Sequence, residues 1–142
     1  MKNRNLINSD NWATPKWLYD KLNEEFNFDF DPCPLHSDFD GLAIEWGKRN
    51  FVNPPYSRKL KEAFVLKAID QTKKNNSINV LLIPVSTSTK LFHEHILPNQ
   101  FEIRFLKGRV KFCGINTMGE YVDNKAPMHD SMIVIFHPLK YE

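Results

Sequence analysis

Glycine is the scarcest informative residue in this chain: there are five, at positions 41, 47, 108, 114 and 119, and no two are spaced to form a Gly-x-Gly turn. A P-loop and the usual dinucleotide-binding fingerprint are therefore both excluded, because each needs glycines where the backbone closes on phosphate. Cysteine is nearly as rare. Cys33 and Cys113 form no CxxC and allow at most one bridge, so reduced thiols in a cytoplasm are the expectation. No apolar run approaches the ~20 residues of a membrane span. The opening Met1-Lys2-Asn3-Arg4-Asn5 leads into no long apolar stretch, which argues against a secretory signal and for a protein without a membrane partner. Neither charge dominates: 19 basic against 17 acidic residues give +2, so any polyanion site must come from local clustering.

The 142 residues suffice for one domain with a buried core, and 42% hydrophobic and 25% charged content is ordinary for a globular chain. Residues 1–11 are polar and Asn-rich and read as a flexible arm; residues 12–142 read as one domain. Thr14-Pro15 is expected to open a helix, with threonine as N-cap and proline at the first helical position, followed by an apolar stripe at Leu18, Leu22 and Phe26. Phe28 to Asp31 suggests a short strand stopped by Pro32, and Cys33 to Arg49 reads mostly as loop. Phe51-Val52 ends a buried strand, Ser57 is placed to cap a helix carrying Leu60, Phe64, Val65, Ala68 and Ile69, and Ile78 to Val85 is apolar enough for a strand covered on both faces. A short helix with Leu91, Phe92, His95 and Ile96 ends at Pro98. Phe101, Ile103 and Phe105 alternate, and the register changes near Gly108, where a bulge or tight turn is expected. Met118 to Asp130 reads as a long loop, and Met132 to Phe136 as a final strand. The pattern predicts an α/β sheet with helices on both faces and a C-terminal antiparallel strand pair.

Asn53-Pro54-Pro55-Tyr56 carries the chemistry. It follows a strand and precedes a helix, where the carboxyl end of a strand opens a crevice. Two prolines have fixed φ and no N–H, so they make a rigid turn that offers only acceptors, here the Asn53 side-chain oxygen and the Pro54 carbonyl. Tyr56 adds a flat aromatic face. A planar amine could donate both N–H groups there while its ring stacks. An exocyclic adenine amine is a poor nucleophile because its lone pair is delocalised. Acceptors on both N–H groups favour a tetrahedral nitrogen and free that pair, so such a site works by positioning and electrostatics rather than by a strong base. The alternative is a structural Pro-Pro turn beside a surface tyrosine.

The chain resembles the phage-type (Dam-like) DNA N6-adenine methyltransferases. The resemblance rests on Trp12-Ala13-Thr14-Pro15, Phe30-Asp31-Pro32-Cys33, Asp40-Gly41-Leu42 with Trp46, Asn53-Pro54-Pro55-Tyr56-Ser57, and the stretch from Glu102 to Phe112, in that order. It implies an abbreviated Rossmann-like methyltransferase sheet, S-adenosylmethionine as methyl donor, and a flipped adenine in DNA as acceptor. By this resemblance Asn53, Pro54, Pro55 and Tyr56 are catalytic. Trp12, Thr14, Pro15, Asp31, Pro32 and Asp40 bind the cofactor, with Asp31 on its amino-acid part and Asp40 on the ribose hydroxyls. Two departures stand out: no glycine loop follows Asp31, and 21 residues between Asp31 and Asn53 leave little room for further strands.

DNA contact is expected from Arg58 and Lys59 beside a helix N-terminus, from Ser86, and from Lys107, Arg109 and Lys111, which would share one face of a strand. Those basic residues would otherwise be a solvated strand face. His93 and His95 are badly spaced for a metal pair, and Cys33, His36 and Cys113 have no zinc-like spacing, so no metal is expected. The rival functions are methylation of an RNA base or a protein glutamine amide, and a non-catalytic nucleic-acid-binding module derived from a methyltransferase. A homodimer would give so small a chain more surface with which to grip a duplex. The expected location is the cytoplasm of a bacterial host or phage-infected cell.

Overall fold

A computed structural model describes residues 12–35, 37–55, 57–99, 102–115, 121–125 and 129–138. The N-terminal arm, His36 and Tyr56 lie outside the described residues, as does the side chain of Cys113. Helix α1 spans Lys16–Phe26 and buries Leu18, Leu22 and Phe26, the stripe that the four-residue spacing predicts. It begins one residue later than expected: Pro15, not Thr14, holds the capping position, and no side-chain cap forms. Its C-terminus closes on Asn27 at φ 52°, whose N–H donates to the Asn23 carbonyl at 2.8 Å. Asparagine tolerates this left-handed geometry better than most residues.

Strand β1 is Arg49–Val52, α2 is Arg58–Asn75 and β2 is Ile78–Pro84. Ser57 holds the N-cap position of α2 without a side-chain capping bond, and the helix buries Phe64, Val65, Ala68 and Ile69. The expected short helix is π-helical over Leu91–Ile96 and passes into one α turn, α3, at Leu97–Asn99. The remaining strands are β3 (Glu102–Phe105), β4 (Phe112–Ile115), β5 (Tyr121–Lys125) and β6 (Ser131–Phe136).

The main sheet has the order β1-β2-β6-β3. The first pair is parallel, and β6 runs antiparallel to both β2 and β3, so β3 shares the direction of β1 and β2. Three sequence expectations change here. The strand expected at Phe28 to Asp31 is reduced to a single parallel bridge between Phe30 and Asn50. Part of the expected 118–130 loop is β5, which pairs with β4 in a separate two-stranded sheet. The last strand does not finish a terminal pair but inserts between β2 and β3, with Met132 opposite Ile83 and Phe105.

The two faces of the sheet carry different cores. Phe64, Val65 and Ala68 of α2, with Phe92 and Ile96, pack on Val52, Leu81, Ile83 and Val134. Leu18, Leu22 and Phe26 of α1, with Val110 and Phe112, pack on Phe51, Val80, Leu82 and Ile135. Helices thus cover both faces, as the apolar run of β2 requires. Arg104 on β3 ties α1 to the sheet edge through a two-pronged bond to Glu25, 2.7 Å on each arm, and also bonds Glu102.

A polar cluster sits in the opposite end of this core. Asn50 Nδ2 donates to Asn79 Oδ1 at 2.9 Å, and Asn79 Nδ2 donates to Thr72 Oγ1 at 2.7 Å. The Trp46 backbone N–H donates to Gln71 Oε1 at 3.1 Å, so the irregular 33–48 segment is fastened to α2 by a buried hydrogen bond. Nothing in the apolar pattern of β2 announces this.

Candidate active site

Parallel strands place their carboxyl ends on one edge, and here that edge collects Asp31, Asn53 and Ser86, together with the start of β6 at Ser131 opposite Pro84. Asn53, Pro54 and Pro55 are all buried. The Asn53 side-chain nitrogen donates to the Trp12 carbonyl at 2.7 Å and to Thr14 Oγ1 at 3.1 Å. A carbonyl can only accept, so the NH₂ end must face Trp12 and both its hydrogens are used. The Asn53 oxygen is left as an acceptor to which nothing donates among the described residues. Asn53, Pro54 and Pro55 line a space of about 10 Å³, whose other lining includes Phe112, His129 and Ser131. That holds one water and no nucleobase.

The short motifs that looked separate in sequence touch one another. The Cys33 thiol donates to the Asn53 carbonyl at 3.0 Å, and the Cys33 N–H donates to Asp31 Oδ1 at 2.9 Å. Gly41 packs so close to the Pro32 backbone that an added Cβ would sit 1.8 Å from the Pro32 oxygen. Trp46 Nε1 donates to the Gly41 carbonyl at 2.8 Å. Asp40 closes an Asx-turn, its Oδ1 accepting the Leu42 N–H at 3.0 Å. The turn that follows Asp31 is thus held by a tryptophan and a tight backbone contact, without a glycine loop.

Asp31 has the most perturbed carboxyl at this edge. Burial pushes it up to about 6, against a smaller lowering by the Cys33 N–H, and no cation among the described residues contributes. Burial, then the Asp31 charge, pushes the Cys33 thiol well above its ordinary value, so it stays a donor rather than a nucleophile. A carboxylate that no described residue pairs with a cation, at the carboxyl edge of a parallel sheet, suits a ligand that brings one. The structure therefore joins Trp12, Thr14, Asp31, Pro32, Asp40 and Asn53 in a linked set, while Pro15 heads α1 beside it.

The predicted basic residues are more scattered. Lys107, Arg109 and Lys111 are exposed and Val110 and Phe112 buried, as the alternation implies, but the segment is an irregular link rather than a strand face. Gly108 at φ +72° breaks the strand there. Arg109 lies 3.7 Å from Asp130, an exposed pair that screening makes weak. Arg58 and Lys59 are exposed in the first turn of α2, and Ser86 is half-buried after β2. His93 is exposed, with Nε2 2.6 Å from the Thr87 carbonyl. The signal that sequence reasoning missed is the Asn53–Thr14 bond, which joins residues 39 apart and leaves no local trace.

Comparison with known proteins identifies the family. The profile of the family described as DNA N-6-adenine-methyltransferase (Dam) matches residues 3–142. The chain is 33% identical to the DNA N-6-adenine-methyltransferase of Haemophilus phage HP1 (strain HP1c1), over 96% of this chain and 83% of that protein. It is 51% identical over 98 residues to the protein of the same name from Escherichia phage T1, covering 60% of this chain and 40% of that one. Five short motifs, one acceptor-lined turn and a match along nearly the whole sequence converge, and the chain belongs to the DNA N-6-adenine-methyltransferase (Dam) family of enzymes.

Proposed function

We propose that this protein transfers a methyl group from S-adenosylmethionine to the exocyclic N6 amine of adenine in DNA, with the target base turned out of the helix. The observation that carries the reading is the locked Asn53 amide, whose two donors are consumed by Trp12 and Thr14, leaving its oxygen as an acceptor that no described residue uses; the Pro54 carbonyl would be the second acceptor. Two such acceptors suit the two N–H bonds of an adenine amine, and they draw density toward the nitrogen as it attacks. Tyr56 would stack on the base. The cofactor supplies an electrophilic methyl group on a sulfonium centre. Asp31, a half-buried carboxyl with no cation beside it among the described residues, would hold the ammonium of the cofactor's amino-acid part, Trp12, Thr14, Pro15 and Pro32 would wall that part, and Asp40 would meet the ribose.

The sheet supports an abbreviated Rossmann-like architecture: its parallel strands share one carboxyl edge and only β6 is reversed. Among the described residues no helix is long and apolar enough to cross a membrane. Lys59, Lys107, Arg109 and Lys111, all exposed, would meet DNA phosphates. DNA as substrate sets the reaction in the cytoplasm of a bacterial host or phage-infected cell, and two copies acting together would widen the grip on the duplex.

The test is incubation of purified protein with isotopically labelled cofactor and unmodified plasmid DNA, with RNA and a protein extract in parallel, followed by analysis of the products. N6-methyladenine from DNA is expected. Label confined to RNA or to glutamine overturns the substrate. No label anywhere, with no calorimetric binding of the cofactor, overturns the enzyme in favour of a binding module.

A further inference from the structure

A second cavity, of about 470 Å³, opens between the start of α2, the end of β2 and the π-helical turn. It is of the size that takes a small ligand. Its rim carries Arg58, Lys61 and Lys90, with Glu62 as the one acid, and the hydroxyls of Ser86 and Ser88. None of the three cations is in an ion pair among the described residues. Lys61 is half-buried, and burial, then the Arg58 charge, lowers its pKa. Three positive groups around one space with a single acid leave an excess of positive charge, which an anionic ligand would relieve. Ile83 and Pro84 line both this cavity and the small space at Asn53, so the two adjoin at the end of β2.

We propose that this cavity receives a sugar-phosphate unit of the DNA strand next to the target adenine, with Lys61 and Lys90 on its phosphate. The inference rests on the DNA-methylation reading above and gives that reading a second, separate foothold. Charge argues against the methyl donor as occupant, since a sulfonium and an ammonium would face three cations. Ser86 and Ser88 would donate to phosphate oxygens, and the N-terminus of α2, at Arg58, adds its partial positive charge. Thr89 is excluded from that role, because its hydroxyl donates to the Ser86 carbonyl at 2.9 Å and accepts the Phe92 N–H.

The test measures DNA affinity by fluorescence anisotropy across a salt series, for the unaltered chain and for Lys61→Ala/Lys90→Ala. A Lys73→Ala/Lys74→Ala control removes the same charge at the far end of α2. The slope of log K against log salt should fall by about one for each phosphate that is no longer neutralised, with affinity about tenfold weaker for each at 0.1 M salt. The control should change far less and should methylate DNA as the unaltered chain does, and Lys61→Arg/Lys90→Arg should restore binding. An unchanged slope in the cavity variant overturns the proposal even if the chain methylates DNA. A reduced slope in a chain that methylates nothing preserves the phosphate site and sinks the catalytic reading instead. If the double alanine variant fails to fold, Lys90→Ala alone, at an exposed position, gives the same readout. Calorimetric binding of deoxyadenosine monophosphate that disappears in the variant, with the DNA slope intact, would reassign the cavity to a free nucleotide and overturn the proposal.

Discussion

Asn53 donates from its side-chain nitrogen to the Thr14 hydroxyl at 3.1 Å, so the motif that leads into α1 sets the orientation of the acceptor that follows β1. Without Thr14 the amide keeps its bond to the Trp12 carbonyl but has one buried hydrogen unsatisfied, at a cost of about 1–3 kcal/mol. Thr14→Val should therefore lower kcat about 10- to 100-fold by misplacing the oxygen. Thr14→Ser should retain most activity. Equal kcat in Thr14→Val and the unaltered chain would remove Thr14 from the site.

Asn53→Ala removes the acceptor itself. Turnover should fall by about 100-fold or more, while calorimetric binding of S-adenosylmethionine stays within a few-fold. Near-normal turnover in this variant would count against the assigned role of the amide.

Asp31 gives a pH signature with a definite sign. Its folded value of about 6 lies above the usual ~3.9 of an aspartate. Between those values the folded chain keeps a proton that the unfolded chain has released, so stability should decline as pH rises from about 4 to about 6, by roughly 2–3 kcal/mol, and level off above. Urea denaturation at intervals across that range reads the slope, and Asp31→Asn should flatten it. Cofactor affinity should move the other way, rising through pH 6 as the carboxylate ionises, and Asp31→Asn should abolish that rise.

Gly41→Ala should act through packing rather than chemistry. The new methyl would meet the Pro32 carbonyl at 1.8 Å, so the turn after Asp31 must shift and the Trp46 bond to Gly41 with it. A loss of roughly 1–3 kcal/mol, as for other overpacked sites, is expected in denaturant midpoints, with weaker cofactor binding. A variant of unchanged stability and affinity would show that the turn adapts freely.

Asn79→Leu tests the buried polar cluster. It leaves Asn50 Nδ2 and Thr72 Oγ1 without their partner, so stability should drop by about 2–4 kcal/mol although the substitution adds an apolar group to a strand interior. An unaffected urea midpoint would mean that the cluster contributes nothing net.

Local chemistry made much of this protein readable in its sequence. The stripe of Leu18, Leu22 and Phe26, the apolar run of β2 and the break at Gly108 each follow from short-range periodicity or backbone freedom, and each stands in the structure. The rigid, donor-free Pro54-Pro55 step after Asn53 is equally legible, since proline geometry is a property of the residues themselves. Three-dimensional pairing alone decided the rest. That β6 slots between β2 and β3, that Tyr121–Lys125 is a strand, and that Phe28 to Asp31 yields one bridge depend on which partners remain available, and hydrophobic pattern does not encode partners. The orientation of the Asn53 amide belongs to the same class: the residue type is written in the chain, but the direction in which its oxygen points is fixed by Trp12 and Thr14, which only folding brings to it.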